Sequence, residues 1–302
     1  MNIKNLTKDY QHIITALNNS GVISVLPRSR VPGVIGIDGK EYPVPTQELL
    51  QEVFARNKEL VDLKMRQGFT QLLLTPIAMP ISKLIELVIM AIQKHTVAGK
   101  LFQTKQDPAD PDIPVRVNKD EQIWVWSRVL KALDTPHLVY FPQKYINPGH
   151  HGFAKGEVIR NSHFCAAPGW SVALIEPMAI MPLAGQAKIM GDRKQLEPYS
   201  TPRDYLQILS APAYQGETGW TLEDFLTHFI TQLETTNQVS HDRFDSNALW
   251  LLGSYLPDLI PTPHIVMEGF WSRKVGHKIY LSAHRSGNRF HGWVARTAVR
   301  LG

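Results

Sequence analysis

The sequence has only one residue able to form a covalent cross-link, Cys165, among its 302 residues. It can therefore form no internal disulfide, and a disulfide-stapled fold is excluded. A single cysteine fits a reducing compartment, or a fold that needs no cross-link. The neighbours of Cys165 are mostly small or apolar, which favours an inert buried thiol over a catalytic nucleophile.

A long hydrophobic run is also missing. The most apolar stretch, residues 72–92, contains two prolines as well as Lys83 and Glu86, so it is too interrupted to span a membrane. Residues 1–21 are polar and lack the hydrophobic centre of a signal peptide. We expect no membrane span and synthesis in the cytoplasm, and we leave open association with a virion or export by a non-classical route.

The standard catalytic and cofactor motifs are missing as well. The sequence contains no phosphate-binding loop, no G-x-G-x-x-G, no G-x-S-x-G and no H-E-x-x-H. No motif therefore supports an enzyme. We predict a protein that is not an enzyme and that uses no cofactor.

One histidine group could in principle bind zinc. His150, His151 and His163 lie close to Cys165 in the sequence, and zinc takes such ligands in tetrahedral geometry. Their spacing matches none of the standard zinc patterns, however. We therefore interpret these histidines as loop or core residues.

A second group recurs every seven residues, at His277, His284 and His291. On a helix these side chains would share a face, but Gly276 and Gly287 interrupt the segment and make a continuous helix unfavourable. We predict no metal site here.

The composition is that of a globular protein, with 43% hydrophobic and 20% charged residues. Apolar spacing predicts a helix over residues 46–68, from Thr46 to Gly68, and another from residue 81 to about 95, with Ser82 near its cap. Residues 31–45 predict a hairpin that turns at Asp38 and Gly39. Residues 221–238 predict an amphipathic helix capped by Thr221.

Residues 104–114 carry three prolines and three aspartates, and this composition predicts a linker or long loop. The predicted elements change in kind after this stretch. Short strand-like pieces follow. We therefore divide the chain into a mainly helical region with a hairpin, residues 1–105, and a second domain, residues 106–302.

Positive charge is concentrated at the C-terminal end. The net charge is +5, yet residues 269–302 hold seven Lys or Arg and no Asp or Glu, so the remaining chain is close to neutral. Aromatic residues lie between these cations, a combination that suits phosphate contacts and base stacking. Nucleic-acid binding is therefore one hypothesis. The competing interpretation is that Arg296 and Arg300 tie loops together by bidentate hydrogen bonds.

The same segment carries a family resemblance. The pieces ALWLLGSYLP, GFWSR, KIYL and GW-ARTAVRL follow in this order over about the last 60 residues. This order resembles the variable proteins diversified by diversity-generating retroelements. The resemblance implies an α+β fold with a C-type lectin-like domain over residues 106–302, preceded by the smaller helical region. That domain is related in architecture to formylglycine-generating enzymes. The resemblance also implies that residues 264–302 form a variable ligand-binding segment.

The composition of the segment agrees with this resemblance. In that family the template adenines are copied with errors, and such errors change Asn codons into codons for a small set of other residues. The exchangeable positions, which the resemblance makes ligand contacts, are Ser272, His277, Tyr280, Ser282, His284, Arg285, Ser286, Asn288, Arg289, Phe290 and His291. The expected scaffold consists of Trp250, Trp271, Trp293, Arg296 and Arg300.

Two features depart from related proteins. Formylglycine-generating enzymes use cysteines in their C-terminal part, whereas the one cysteine here is Cys165. Calcium-dependent lectins need carboxylate and amide clusters, and no carboxylate follows Glu268. We therefore expect a non-enzymatic protein that displays a binding surface to another protein, with nucleic-acid binding by the basic tail as the alternative.

Overall fold

The computed structural model describes residues 3–105, 107, 109–177, 182, 184–241, 248–258 and 263–302, and side chains from residue 8 onward. Within these residues the fold is mixed α+β, as predicted. The first part of the chain contains four helices: α1 (Ile3–Asn19), α2 (Gln47–Arg56), α3 (Lys58–Arg66) and α4 (Ile81–Val97). It also contains four strands: β1 (Ser24–Val25), β2 (Pro32–Ile35), β3 (Glu41–Pro43) and β4 (Gln71–Thr75).

The predicted hairpin is confirmed. Strands β2 and β3 pair antiparallel, with Val34 opposite Tyr42, and β1 adds to β2 on the other side. Gly39 has a φ of +73°, a conformation that glycine adopts without strain. The Asp38 carboxylate accepts from Tyr42 Oη at 2.8 Å and so fixes the turn against the strand.

The helix predicted over residues 46–68 is instead two helices. Thr46 caps α2, since its hydroxyl accepts from Leu49 N at 3.2 Å. The helix ends at Asn57, whose side chain bonds back to the Val53 carbonyl at 2.9 Å. An Asn side chain competes with the backbone for hydrogen bonds in this way, and the apolar spacing that continues past residue 57 concealed the break.

The start of α4 has a cap from a distant part of the chain. Ser82 was expected near the cap, but the capping group is the carboxylate of Asp134. This carboxylate accepts from Ile81 N at 2.7 Å, from Ser82 N at 3.0 Å and from Ser82 Oγ at 2.7 Å. A carboxylate at a helix N-terminus satisfies unpaired amides and is favoured by the helix dipole.

The rest of the chain forms four helices and eleven strands among the described residues. The helices are α5 (Ser127–Ala132), α6 (Lys155–Arg160), α7 (Pro202–Leu209) and α8 (Leu222–Thr236). The strands are β5 (Ile123–Val125), β6 (Val139–Tyr140), β7 (Ser171–Ile175), β8 (Ile189–Met190), β9 (Arg193–Lys194), β10 (Glu217–Gly219), β11 (Leu249–Leu256), β12 (Ile265–Ser272), β13 (Lys278–Arg285), β14 (Val294–Ala295) and β15 (Thr297–Arg300).

Two larger sheets organise the fold. A four-stranded antiparallel sheet has the order β10-β15-β7-β4, and a six-stranded sheet has the order β14-β11-β12-β13-β5, with β6 also paired to β11. Strand β4 of the first region pairs along its length with β7. The main hydrophobic core likewise takes residues from both sides of residue 105. Within the described residues, the regions 1–105 and 106–302 thus share one sheet and one core.

Helix α8 lies at the centre of that core. The cap at Thr221 is confirmed, because its hydroxyl accepts from Asp224 N at 3.1 Å and Asp224 accepts from Thr221 N at 2.8 Å. The amphipathic pattern is wrong for the first three turns, where polar and apolar residues alike are buried. The polar ones have distant partners: Glu223 accepts from Tyr140 Oη at 2.6 Å, and Asp224 accepts from Thr75 Oγ1 at 2.7 Å.

Backbone hydrogen bonds join the two ends of the stretch predicted as a linker. Gln103 N donates to Ile113 O at 2.8 Å, and Val115 N donates to Leu101 O at 3.0 Å. Residues 106 and 108 lie outside the described residues. Across the described chain, no helix combines the length and apolar character needed to cross a membrane.

Candidate binding surface

Strand β13 separates its buried side chains from the predicted contact residues. Ile279 and Leu281 are fully buried in the main core, and Ala283 is nearly so. The alternate positions Tyr280, Ser282 and His284 are partly exposed. Successive side chains of a strand point to opposite faces of a sheet, so these three contact residues share the face turned away from α8.

Neighbouring strands add aromatic rings to this face. Phe270 of β12 lies opposite Tyr280, with ring centroids 5.4 Å apart and planes inclined by 11°. Trp124 of β5 lies on the other side of Tyr280, at a centroid distance of 5.4 Å. We call this part of the sheet the outer face, and its residues are Trp124, Phe270, Ser272, Tyr280, Ser282 and His284.

The opposite end of the same sheet face is covered. Trp250 of β11 is fully buried, and the segment after β13 folds over it. The Trp293 ring lies 4.7 Å from Trp250 and 4.2 Å from Phe290, centroid to centroid. His284 borders this cluster at 4.9 Å from Phe290. The Trp250 cluster and the outer face lie on strands of the same sheet, so the packed cluster helps to hold the outer face in position.

A buried carboxyl group lies beneath the outer face. Glu268 of β12 is 3% exposed and lies opposite both Ser282 and Trp250. Its Oε1 is 3.5 Å from His284 Nε2, and Oε2 has no hydrogen-bond partner in the described part of the chain. Burial raises the pKa of this carboxyl, against the opposing influence of His284 and Ser282.

The arrangement of these three residues does not form a nucleophilic triad. In a triad, a histidine bonds both the serine and the carboxylate. Here Ser282 and His284 both lie beside Glu268 and both act to lower its pKa. Ser282 and His284 thus converge on one carboxyl group, and the histidine does not link the serine to it.

A cleft of about 330 Å³ opens beside the outer face. Trp124 and Trp126 form one wall, while Asn288 and Arg285 contribute to the opposite side. Residues 282–284 also line the cleft. The Arg128 guanidinium lies 5.4 Å from the Trp126 ring centroid, within the range of a cation–π contact.

The other predicted contacts are distributed around this surface. His277 lies in the turn before β13, with a φ of 50°, and its carbonyl accepts from Asn118 N at 2.9 Å. Arg289 is exposed and pairs with Asp204 at 3.3 Å. His291 is exposed too, at 5.9 Å from the Tyr199 ring.

Ser286 departs from the expectation of an exposed contact. Its side chain is fully buried. The hydroxyl accepts from Arg203 Nε at 2.9 Å, and the carbonyl accepts from Arg203 N at 3.2 Å. Ser286 therefore holds α7 against the end of β13, and a ligand on the outer face does not reach it.

The expected scaffold residues have buried contacts. Trp271 is 1% exposed and stacks on Phe229 of α8 at a centroid distance of 6.1 Å. Arg296 donates to the carbonyls of Glu176 and Pro177, each at 3.1 Å. Trp293, by contrast, is partly exposed, because it lies at the rim of a second, smaller hydrophobic core that contains Trp250, Tyr205 and Tyr255.

Three of the seven basic residues of the tail pair with carboxylates. Lys278 contacts Glu121, Arg289 contacts Asp204, and Arg300 contacts Asp224. Arg300 is also buried. The positive charge of the segment is therefore partly neutralised by carboxylates from elsewhere in the chain, and it is spread over several faces.

The single cysteine is buried and bonded. Cys165 Sγ donates to the Val158 carbonyl at 3.3 Å, and burial raises the pKa of the thiol to about 12. His150 Nδ1 accepts from Gly152 N at 3.0 Å. Within the described ranges, no three His, Cys, Asp or Glu side chains converge in a way that could hold a metal ion.

Sequence reasoning missed part of the surface. It did not predict Trp124, Trp126 or Glu268 as members. The pattern Trp-Val-Trp at residues 124–126 carries a usable signal, because alternate residues of a strand share a face. The burial of Glu268 has no local signal, since it depends on strands that flank β12 on both sides.

Comparison of this chain with family models, curated proteins and solved structures found no match.

Proposed function

We propose that this chain is a non-enzymatic binding protein whose outer face contacts a protein ligand. One observation carries the proposal. Tyr280, Ser282 and His284 alternate with Ile279, Leu281 and Ala283 along β13, so contact residues can be exchanged without altering the main core. A rigid sheet presents them, and rigid aromatic side chains give contact area at low entropic cost.

The proposal includes the family resemblance. A C-type lectin-like arrangement of residues 106–302 and diversification by a retroelement would explain why residues prone to adenine mutagenesis gather at 272–291. The partial exposure of Ser272, Tyr280, Ser282 and Asn288 supports this proposal, as do the buried partners of Trp271 and Arg300.

The DNA around the gene tests diversification directly. We expect a downstream imperfect copy of the sequence that encodes residues 269–302, with mismatches confined to adenines, and a nearby reverse transcriptase gene. The mismatched codons would identify the variable positions without reference to any ligand. Finding neither feature would overturn the retroelement part of the proposal.

A combined substitution tests the display surface. Replacing Tyr280, Ser282 and His284 together by Ala should abolish capture of ligand and leave the free energy of unfolding within about 1–2 kcal/mol of the unsubstituted chain. A loss above about 4 kcal/mol would show that these residues belong to the folding core.

Salt dependence separates the proposal from nucleic-acid binding. A tail that neutralises several phosphates would lose affinity for a 20-nucleotide single strand steeply as salt rises from about 50 to 200 mM. The pairing of Lys278, Arg289 and Arg300 with carboxylates argues against such a tail. We expect weak binding to the oligonucleotide at both salt concentrations.

A further inference from the structure

The pairing between β5 and β13 stops at the cleft beside the outer face. Strand β5 pairs in parallel with β13, but only at residues 279–281. The ladder is flanked by two hydrogen bonds: Ile279 N donates to Gln122 O at 3.0 Å, and Trp126 N donates to Leu281 O at 2.9 Å. Strand β13 continues four residues beyond that point.

The start of α5 ends the ladder. The next bond in a parallel pairing would run from Ala283 N to the Trp126 carbonyl. That carbonyl instead accepts from Leu130 N at 2.9 Å, in the first turn of α5. The chain that forms β5 therefore turns away, and the cleft lies where the next strand residues would have been.

The direction of the free backbone groups follows from the register. Ile279 and Leu281 direct their backbone groups toward β5, and the backbone groups of a strand alternate in direction. Ala283 and Arg285 must then direct theirs to the same edge. In the described part of the chain, Ala283 N, Ala283 O and Arg285 N have no partner on this edge, while Arg285 O accepts from Asn288 N at 2.8 Å.

The charge around this edge is of one sign. Arg285 is exposed and lines the cleft. Of the described residues that line the cleft, none carries a carboxylate. A segment that enters here meets the Arg285 guanidinium, two indole rings and three backbone groups in strand geometry.

We propose that the free edge of β13 at residues 283–285 takes an extended acidic segment of the protein ligand as an added strand. This inference rests on the proposed function and specifies how the ligand is held. Main-chain hydrogen bonds to Ala283 and Arg285 supply affinity, as in other cases of strand addition. The outer face, with Tyr280 and Ser282, then reads side chains of the same ligand.

The probe is a phage-displayed library of random nine-residue peptides, panned against the full-length chain. We expect enriched peptides to carry Asp or Glu and to alternate in polarity. The most enriched sequence is then synthesised in two N-methylated forms, each methylated on alternate residues. Alternate amides of a strand point to opposite edges, and only one edge of an added strand pairs with β13. The form that is methylated on the free edge should therefore bind like the parent peptide. The form that is methylated on the paired edge should bind at least about tenfold more weakly.

A matched pair of variants tests the protein side. Arg285→Ala removes the guanidinium and keeps the amide, whereas Arg285→Pro removes both. We expect the Arg285→Pro variant to bind the parent peptide about tenfold more weakly than the Arg285→Ala variant does. The N-methylated peptides on the unsubstituted chain keep the test decisive if Arg285→Pro fails to fold.

Three outcomes would overturn the inference. In the first, no peptide is enriched; in the second, both methylated forms bind equally and the two Arg285 variants behave alike. In the third, the chain alone sediments as a dimer that Arg285→Pro dissociates, because the occupant is then a second copy. If peptide binding survives Arg285→Pro but is lost in the combined Tyr280, Ser282 and His284 variant, only the edge pairing is overturned and the proposed function stands.

Discussion

Arg300 and Asp224 form an ion pair that joins the last strand to the first turn of the central helix. Their side chains are 1% and 0% exposed. Arg300 also donates to Ser171 Oγ at 2.6 Å and lies 4.5 Å from the Phe141 ring centroid. One guanidinium thus connects β15, β7, α8 and the loop after β6.

Removing this guanidinium should be strongly destabilising. Arg300→Ala leaves the Asp224 carboxylate buried without its counter-charge, and breaking such a pair costs about 3–5 kcal/mol. Urea unfolding followed by tryptophan fluorescence measures the change. The control is Arg285→Ala at an exposed position, where we expect a change within about 0.5 kcal/mol. Equal effects of the two substitutions would contradict the structural role of Arg300.

The two tail tryptophans should differ in their contribution. Trp271 is buried against α8, so Trp271→Ala should lower the free energy of unfolding by about 3–5 kcal/mol. Trp293 is partly exposed at the rim of the second core, and Trp293→Ala should cost about 1–2 kcal/mol. Chemical unfolding of both variants tests the order, and a larger loss for Trp293 would reverse the assignment of core and rim.

Two buried histidines should make the fold sensitive to acid. The rings of His228 and His241 lie 5.7 Å apart, and none of their four nitrogens has a hydrogen-bond partner among the residues that the structure describes. Burial lowers the pKa of His228 to about 3 and that of His241 well below its ordinary value, and the Arg296 charge lowers both further. Both rings are therefore neutral in the folded protein near neutral pH.

The sign of the pH dependence follows from proton uptake. Below about pH 6.5 the unfolded chain protonates both histidines, whereas the folded chain does not, so the unfolded state binds more protons. As the pH is lowered below about 6.5, the free energy of unfolding should therefore fall by up to about 1.4 kcal/mol per pH unit for each histidine. His228→Phe should remove about half of this slope between pH 6 and 5. His137→Asn, at an exposed position, serves as the control and should leave the slope unchanged.

The cysteine should be unreactive until the protein unfolds. The thiolate is the reactive form of cysteine, and Cys165 is buried with a pKa raised to about 12. We expect negligible reaction with a disulfide reagent at pH 8 in buffer, and stoichiometric reaction in strong denaturant. Rapid reaction of the native protein would show an accessible thiol and reopen a catalytic role.

The sequence predicted elements whose determinants are local. The turn at Asp38 and Gly39 and the cap at Thr221 depend on residues within a few positions of each other, and both are confirmed. The break at Asn57 was missed, because asparagine is only a mediocre helix former and the apolar spacing runs on through it. Local patterns therefore located four of the eight α-helices of the described chain, α2, α3, α4 and α8, and missed the break between the first two.

Features set by distant contacts could not be predicted. Glu223 and Asp224 have the pattern of a solvated helix start, yet their partners Tyr140 and Arg300 come from other parts of the chain. The wall of the cleft formed by Trp124 depends on a parallel pairing to Tyr280. No periodicity within either segment encodes that pairing.

That same parallel pairing has a consequence for how the protein becomes competent to bind. The cleft joins residues 124–126 to residues 282–288, about 160 positions later in the chain. Contacts of such long range form slowly and close large loops. The binding surface is thus assembled late: a nascent chain with β5 but not β13 has no part of the cleft, and recognition begins only once these distant segments have met.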